Sequence, residues 1–140
     1  MPRKIWVRDP DAGGVKITDA VKKRTKERIE QHAAKHFKGK YTRLDIRFRG
    51  VFCYVDAYRE PGPDVYVPRG TTKAEALKHL RNTPTHLCRL RYFGGDDQWS
   101  FGFYKYSDEK YELCFFDSGS FFGKPEDAFA QAARVYLEEG

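Results

Sequence analysis

The sequence predicts an α+β domain with a mostly antiparallel sheet of about five strands. The element order is α-β-β-α-β-β-β-α, with helices mainly on one face. Three observations predict it. Residues 43–58, RLDIRFRGVFCYVDAY, alternate with period two on both sides of a glycine, the pattern of a hairpin. Residues 86–116 hold three more strand-like runs parted by the short turns GGDDQ and SDEK, and strands linked so closely pair antiparallel. Helix start signals stand at Thr18, Thr72 and Pro125. At 140 residues the chain reads as a single domain, 1–140, large enough to hold a core without a disulfide or metal.

The first seventeen residues read as irregular. Asp9-Pro10-Asp11 and Gly13-Gly14 are turn material, and Lys4–Arg8 has the alternation of a short edge strand. Thr18 is the expected N-cap of a helix running to Lys38, with Gly39 at the C′ position. Val21, Ile29, Ala33 and Phe37 recur at multiples of four. At 3.6 residues per turn that stripe drifts by about 40° per step, so the helix is only moderately amphipathic.

For the hairpin, a two-residue Arg49-Gly50 turn is expected, which would pair Phe48 with Val51, Ile46 with Cys53 and Leu44 with Val55. One face is then aliphatic. The other carries Arg43, Arg47, Phe52, Tyr54 and Tyr58. Residues 59–71, rich in Pro and Gly, form a loop. Thr72 and Glu75 match a capping box for a short helix to about Arg81, and Pro84 marks its exit.

Strands are expected over His86–Phe93, Trp99–Tyr106 and Tyr111–Phe116. Cys88, Leu90 and Tyr92 are assigned inward with Phe101, Phe103, Leu113 and Phe115. The opposite face then gains Arg89, Arg91, Phe93, Tyr104 and Tyr106. Pro125 opens a last helix, with Glu126 and Asp127 well placed at its N-terminus. Ala128, Phe129, Ala132, Ala133 and Tyr136 form its packing stripe. Both strand clusters therefore set arginines beside aromatic rings on one surface, unless a second layer of helices buries them.

The net charge of +6 is uneven. Residues 1–50 carry 15 Lys and Arg against 6 Asp and Glu, whereas residues 51–140 carry 11 against 14. A basic first third makes a directed field that suits an acidic partner such as nucleic acid. Three cysteines without close spacing (Cys53, Cys88, Cys114) suggest free thiols in a reducing compartment, and the N-terminus lacks the apolar run of a secretory signal. A cytoplasmic protein is expected, without a membrane span.

Few motifs carry chemistry. There is no Walker loop, G-x-G-x-x-G, G-x-S-x-G or paired Cys-x-x-Cys. His32 and His36 share a helix face without an evident third metal ligand, and Ala33 stands where a zinc protease needs Glu. The cysteines read as small core hydrophobes, and Asp96, Asp97 and Asp117 as turn residues. His79 or His86 with Tyr54, Tyr104, Arg47 or Arg89 supplies the residue types of a metal-free ribonuclease.

The stretch from Tyr92 to Leu137 resembles the arm-type DNA-binding domain of tyrosine integrases and the related three-strand-plus-helix domain of plant transcription factors. The likeness rests on Trp99-Ser100-Phe101-Gly102-Phe103, Gly119-Ser120-Phe121-Phe122-Gly123, and Pro125-Glu126-Asp127-Ala128 with Ala132-Ala133. It implies a sheet whose open face enters a DNA groove. The order helix, three strands, helix also resembles the double-stranded RNA-binding domain, but Glu126 and Asp127 stand where that domain has lysines. The whole chain resembles small bacterial proteins, which implies no particular activity.

These features make a non-enzymatic nucleic-acid-binding protein, with no cofactor or metal, the leading expectation. Lys22, Lys23, Lys26, Arg43, Arg47, Arg49, Arg89 and Arg91 would contact phosphate, and Tyr54, Tyr58 and Tyr104 would stack or pack on sugars. The alternatives are a protein–protein adaptor using the same face and the ribonuclease.

Overall fold

The structure is a computed structural model and describes residues 9–138, residue 138 by its backbone alone. The Lys4–Arg8 edge strand lies outside the described residues. The architecture is α+β. Its elements are α1 (Asp19–His36), β1 (Arg43–Arg49), β2 (Phe52–Tyr58), α2 (Lys73–Arg81), β3 (Thr85–Tyr92), β4 (Trp99–Lys105), β5 (Lys110–Cys114) and α3 (Pro125–Ala133). A π-helical turn, Arg134–Glu138, extends α3. The five strands form one antiparallel meander in sequence order.

Helix α1 starts as its cap dictates, with the Thr18 hydroxyl accepting from Val21 N–H at 3.3 Å. It buries Val21, Thr25, Ile29 and Ala33, and Phe37 follows at the C-cap. Thr25 completes the every-fourth-residue series; its methyl group lets a polar residue continue the stripe. Helix α3 buries Ala128, Phe129, Ala132 and Ala133, small residues that let it approach both α1 and the sheet. Phe129 meets Phe37 edge to face, centroids 5.5 Å apart. Burying a ring of that size contributes about 2–3 kcal/mol.

Helices α1 and α3 cover the face that carries Cys53, Val55, Ala57, Cys88, Leu90 and Phe101, all buried in the same core. Among the described residues no helix packs closely on the other face. Part of it, near Ser100, is crossed by residues 10–13. There the Ser100 hydroxyl donates to Pro10 O at 2.6 Å and Arg91 donates to Gly13 O and Asp11 O.

Three expectations of register and facing require correction. The hairpin turn is Gly50-Val51, so Phe48 pairs with Cys53, Ile46 with Val55 and Leu44 with Ala57. Gly50, at φ 61°, takes the first central position, where a tight hairpin turn needs positive φ. The displacement is two residues, one full pleat, so every side chain keeps its assigned face.

On β5 the facing is reversed. Leu113 pairs with Gly102 on the open face, while Cys114 pairs with Phe101 on the core side. Phe115 is exposed and Phe116 is buried. Both parities of this strand are apolar, so alternation did not choose between them. Phe93 is also buried, edge to face with Phe122.

Candidate nucleic-acid interface

On the helix-free face, alternation along each strand aligns Arg43, Asp45, Arg47 and Arg49 from β1 with Tyr58, Asp56, Tyr54 and Phe52 from β2. Strand β3 adds Arg89 and Arg91 opposite Tyr54 and Phe52. Tyr104 and Tyr111 come from β4 and β5, paired across the ladder. All eight strand residues expected at a binding surface therefore share one side of the sheet.

Guanidinium groups and rings interleave there. The Arg43 carbon lies 3.8 Å from the Tyr58 ring centroid, Arg89 4.5 Å from Phe52 and 5.3 Å from Tyr111, and Arg91 4.7 Å from Phe52. A guanidinium lying over a ring keeps its planar N–H fork directed outward. Arg43, Arg49 and Arg89 have no acidic partner among the described residues, whereas Arg47 is paired with Asp45 and Asp56, each at 2.8 Å.

Lys22, Lys23 and Lys26 sit on α1, on the opposite side of the sheet. The structure does not bring them to the strand arginines. Lys22 lies 3.7 Å from Asp19. Two other basic groups of α1 serve the scaffold. Arg24 grips Asp96 with two hydrogen bonds, and Arg28 reaches Asp97, Asp96 O and Glu126. The Asp96 carboxyl is held below its ordinary range by its hydrogen bond from Arg24.

The sequence reading missed the centre of the open face. Asp56 is fully buried at its middle and joins Arg47 through Oδ2 and His86 through Oδ1, the latter at 2.9 Å from Nδ1. A β-bulge makes this possible. Val55 pairs with Cys88 and Asp56 with His86, so Leu87 is an extra residue on β3. Leu87 and Cys88 are both fully buried, and His86 changes face. The signal was the consecutive apolar pair Leu87-Cys88, which breaks period two.

Around His86 stand Tyr104, with ring centroids 4.7 Å apart, and Tyr106, whose hydroxyl accepts from His86 N–H at 2.8 Å. Tyr111 meets Tyr54 and Tyr104 edge to face, and burial pushes its phenol well above the ordinary value. His79 belongs to α2 and lines a groove with Tyr66 and Leu80, apart from this cluster.

A cleft of about 740 Å³ lies on the helix side, lined by His32, His36, Asp117, Asp127 and Arg134 among others. The two imidazoles face each other with centroids 4.4 Å apart, and burial, then the neighbouring His36, lowers the His32 pKa. No group of three or more His, Cys, Asp or Glu among the described residues is arranged to hold a metal. No helix among them is long and apolar enough to cross a membrane. Comparison with known proteins finds no matching family model and no similar chain among curated proteins or solved structures.

Proposed function

We propose that this chain binds single-stranded nucleic acid across the open face of its sheet. The observation that carries the reading is the ladder of guanidinium groups over rings, formed by Arg43 on Tyr58 and by Arg89 and Arg91 on Phe52. The guanidinium forks of Arg43, Arg49 and Arg89 match phosphate oxygens, while that of Arg91 is held by Gly13 O and Asp11 O, and the exposed parts of Tyr54, Tyr58 and Tyr104 offer surface to sugars and bases. A twisted antiparallel sheet of this width presents its contacts along a path that an extended strand can follow. The free thiols of Cys53, Cys88 and Cys114 suit a reducing compartment such as the cytoplasm.

The test is fluorescence anisotropy with short labelled single strands and duplexes of RNA and DNA. Three phosphate contacts predict that affinity for a single strand falls roughly tenfold or more between about 50 and about 200 mM salt. Arg43→Ala with Arg89→Ala abolishes most of the binding, whereas Lys23→Ala with Lys26→Ala, on the far side of the sheet, leaves it unchanged. Failure to bind any of the four nucleic acids at low salt overturns the reading. A protein partner seated on the same rings would instead hold through the rise in salt.

A further inference from the structure

From the geometry around Asp56 we infer that the open face also cleaves RNA, with His86 as general base and Tyr106 as general acid. This inference rests on the nucleic-acid reading above.

Asp56 is a fully buried carboxylate beside the partly exposed Arg47, Tyr54 and His86 of this face. Burying such a charge is costly and is sustained here by Arg47 on one oxygen and His86 on the other. The pairing fixes the imidazole. Nδ1–H donates to the Asp56 carboxylate at Oδ1, so in the neutral imidazole Nε2 carries the lone pair, and the His86 side chain keeps about a third of its surface in water. A histidine oriented through one nitrogen by a carboxylate, and free at the other, is equipped to take a proton.

The Tyr106 hydroxyl accepts from His86 N–H, so its own proton remains available to donate. Burial keeps that phenol protonated at neutral pH. Opposite Tyr54 and Asp56 of β2, Arg89 and His86 stand one pleat repeat apart at the backbone, about 7 Å in strand geometry, and the Arg89 guanidinium lies over Phe52 and Tyr111, unpaired by any acid among the described residues. An RNA strand anchored by Arg89 and followed along the face reaches His86, and Tyr106 lies against His86 with ring centroids 6.3 Å apart. Asp56 and Arg47 act as positioning residues.

The reaction needs a nucleophile already next to phosphorus, and the ribose 2′-hydroxyl provides one. His86 Nε2 takes the 2′-hydroxyl proton as the O2′–P bond forms. The P–O5′ bond breaks, and the departing oxygen takes the Tyr106 proton. The products are a 2′,3′-cyclic phosphate and a 5′-hydroxyl end. Proton return from the His86 imidazolium to the Tyr106 phenolate through solvent restores both groups.

The experiment follows a labelled RNA, its 2′-O-methyl form and the matching DNA under single turnover in EDTA, with binding measured in parallel. Only the unmodified RNA is expected to be cut, leaving a cyclic phosphate. His86→Gln and Tyr106→Phe should each slow cleavage by about 10²–10⁴-fold, with Kd changed less than twofold. Asp56→Asn should slow it less and shift its pH profile. RNA that binds yet stays whole overturns the cleavage and leaves the binding reading standing, as does equal cutting by wild type and His86→Gln. Failure to bind any strand overturns both.

Discussion

Asp56 and His86 face each other at 2.9 Å on the open side of the sheet because β3 carries one residue more than β2 at their level. Without Leu87 as the extra residue, His86 would share the face of Cys88 and Leu90 and point into the core. The bulge therefore places two fully buried apolar side chains in succession and turns a polar one outward. Arg47 closes the arrangement from β1.

Arg47→Met tests what holds the buried carboxylate. The substitution keeps most of the aliphatic stem and removes the charge opposite Asp56. Stability at neutral pH should fall by about 1–3 kcal/mol, since a buried acceptor loses its charged donor. Adding Asp56→Asn should recover part of the loss, because the uncompensated charge is then gone. Urea midpoints of the two single variants and the double variant give the coupling. Strictly additive losses would show that Arg47 does not support Asp56.

Much of this fold can be read from local rules. The caps at Thr18 and Thr72, the proline that opens α3 and the hairpin alternation each act within a few residues, and each element appears where they put it. Facing failed at β5, where Tyr111-Leu113-Phe115 and Cys114-Phe116 offer two apolar parities and only pairing with β4 decides. The candidate site was legible wherever a strand alternates regularly. Its centre was not, because a bulge is a relation between two strands and Asp56 reads as an ordinary polar-face residue. Charge alone groups the α1 lysines with the strand arginines, and charge composition does not say on which side of a sheet a helix lies.

Arg28 should matter more to stability than any other cation of α1. It donates to Glu126 on α3 at 3.0 Å, to Asp97 at 2.8 Å and to Asp96 O at 3.1 Å, joining three parts of the chain. Glu126 Oε1, itself buried, rests 2.8 Å from Nη2 without the alignment of a hydrogen bond. Arg28→Ala strands that carboxylate and should cost about 1–3 kcal/mol. Arg28→Lys should recover little, since an ammonium lacks the planar fork that reaches several acceptors. Chemical denaturation of both variants is the check, and a lysine variant as stable as wild type would contradict the geometry.

Thiol labelling should distinguish the three cysteines. Cys53 and Cys88 are fully buried on adjacent strands, and burial pushes both thiols up. Cys114, on β5, is only partly covered. A thiolate is the reactive form, so an alkylating reagent at neutral pH should modify Cys114 alone in the folded protein, slowly, and all three in denaturant. Peptide mass spectrometry after timed quenching reads this out. Rapid modification of Cys53 or Cys88 without unfolding would mean that the core under β2 and β3 opens readily.

Tyr111 should make the protein sensitive to alkali. Its ring lies against Tyr54 and Tyr104, with Arg89 at 5.3 Å from the centroid. Burial raises its pKa, the charge of Asp56 and the Cys88 thiol add to the rise, and Arg47 opposes it. The folded state thus holds the phenol neutral. In the unfolded chain the same group titrates near its ordinary value of about 10. Below that pH the contribution to stability is complete. Above it the unfolded state releases a proton that the folded state retains, so stability falls as pH climbs. Tyr111→Phe removes this one proton from the balance, while the raised phenols of Tyr41, Tyr106 and Tyr136 remain. Urea midpoints measured from about pH 9 to about pH 11 should decline less steeply in the variant than in wild type. Equal slopes would place Tyr111 in contact with water and remove it from the shared aromatic surface.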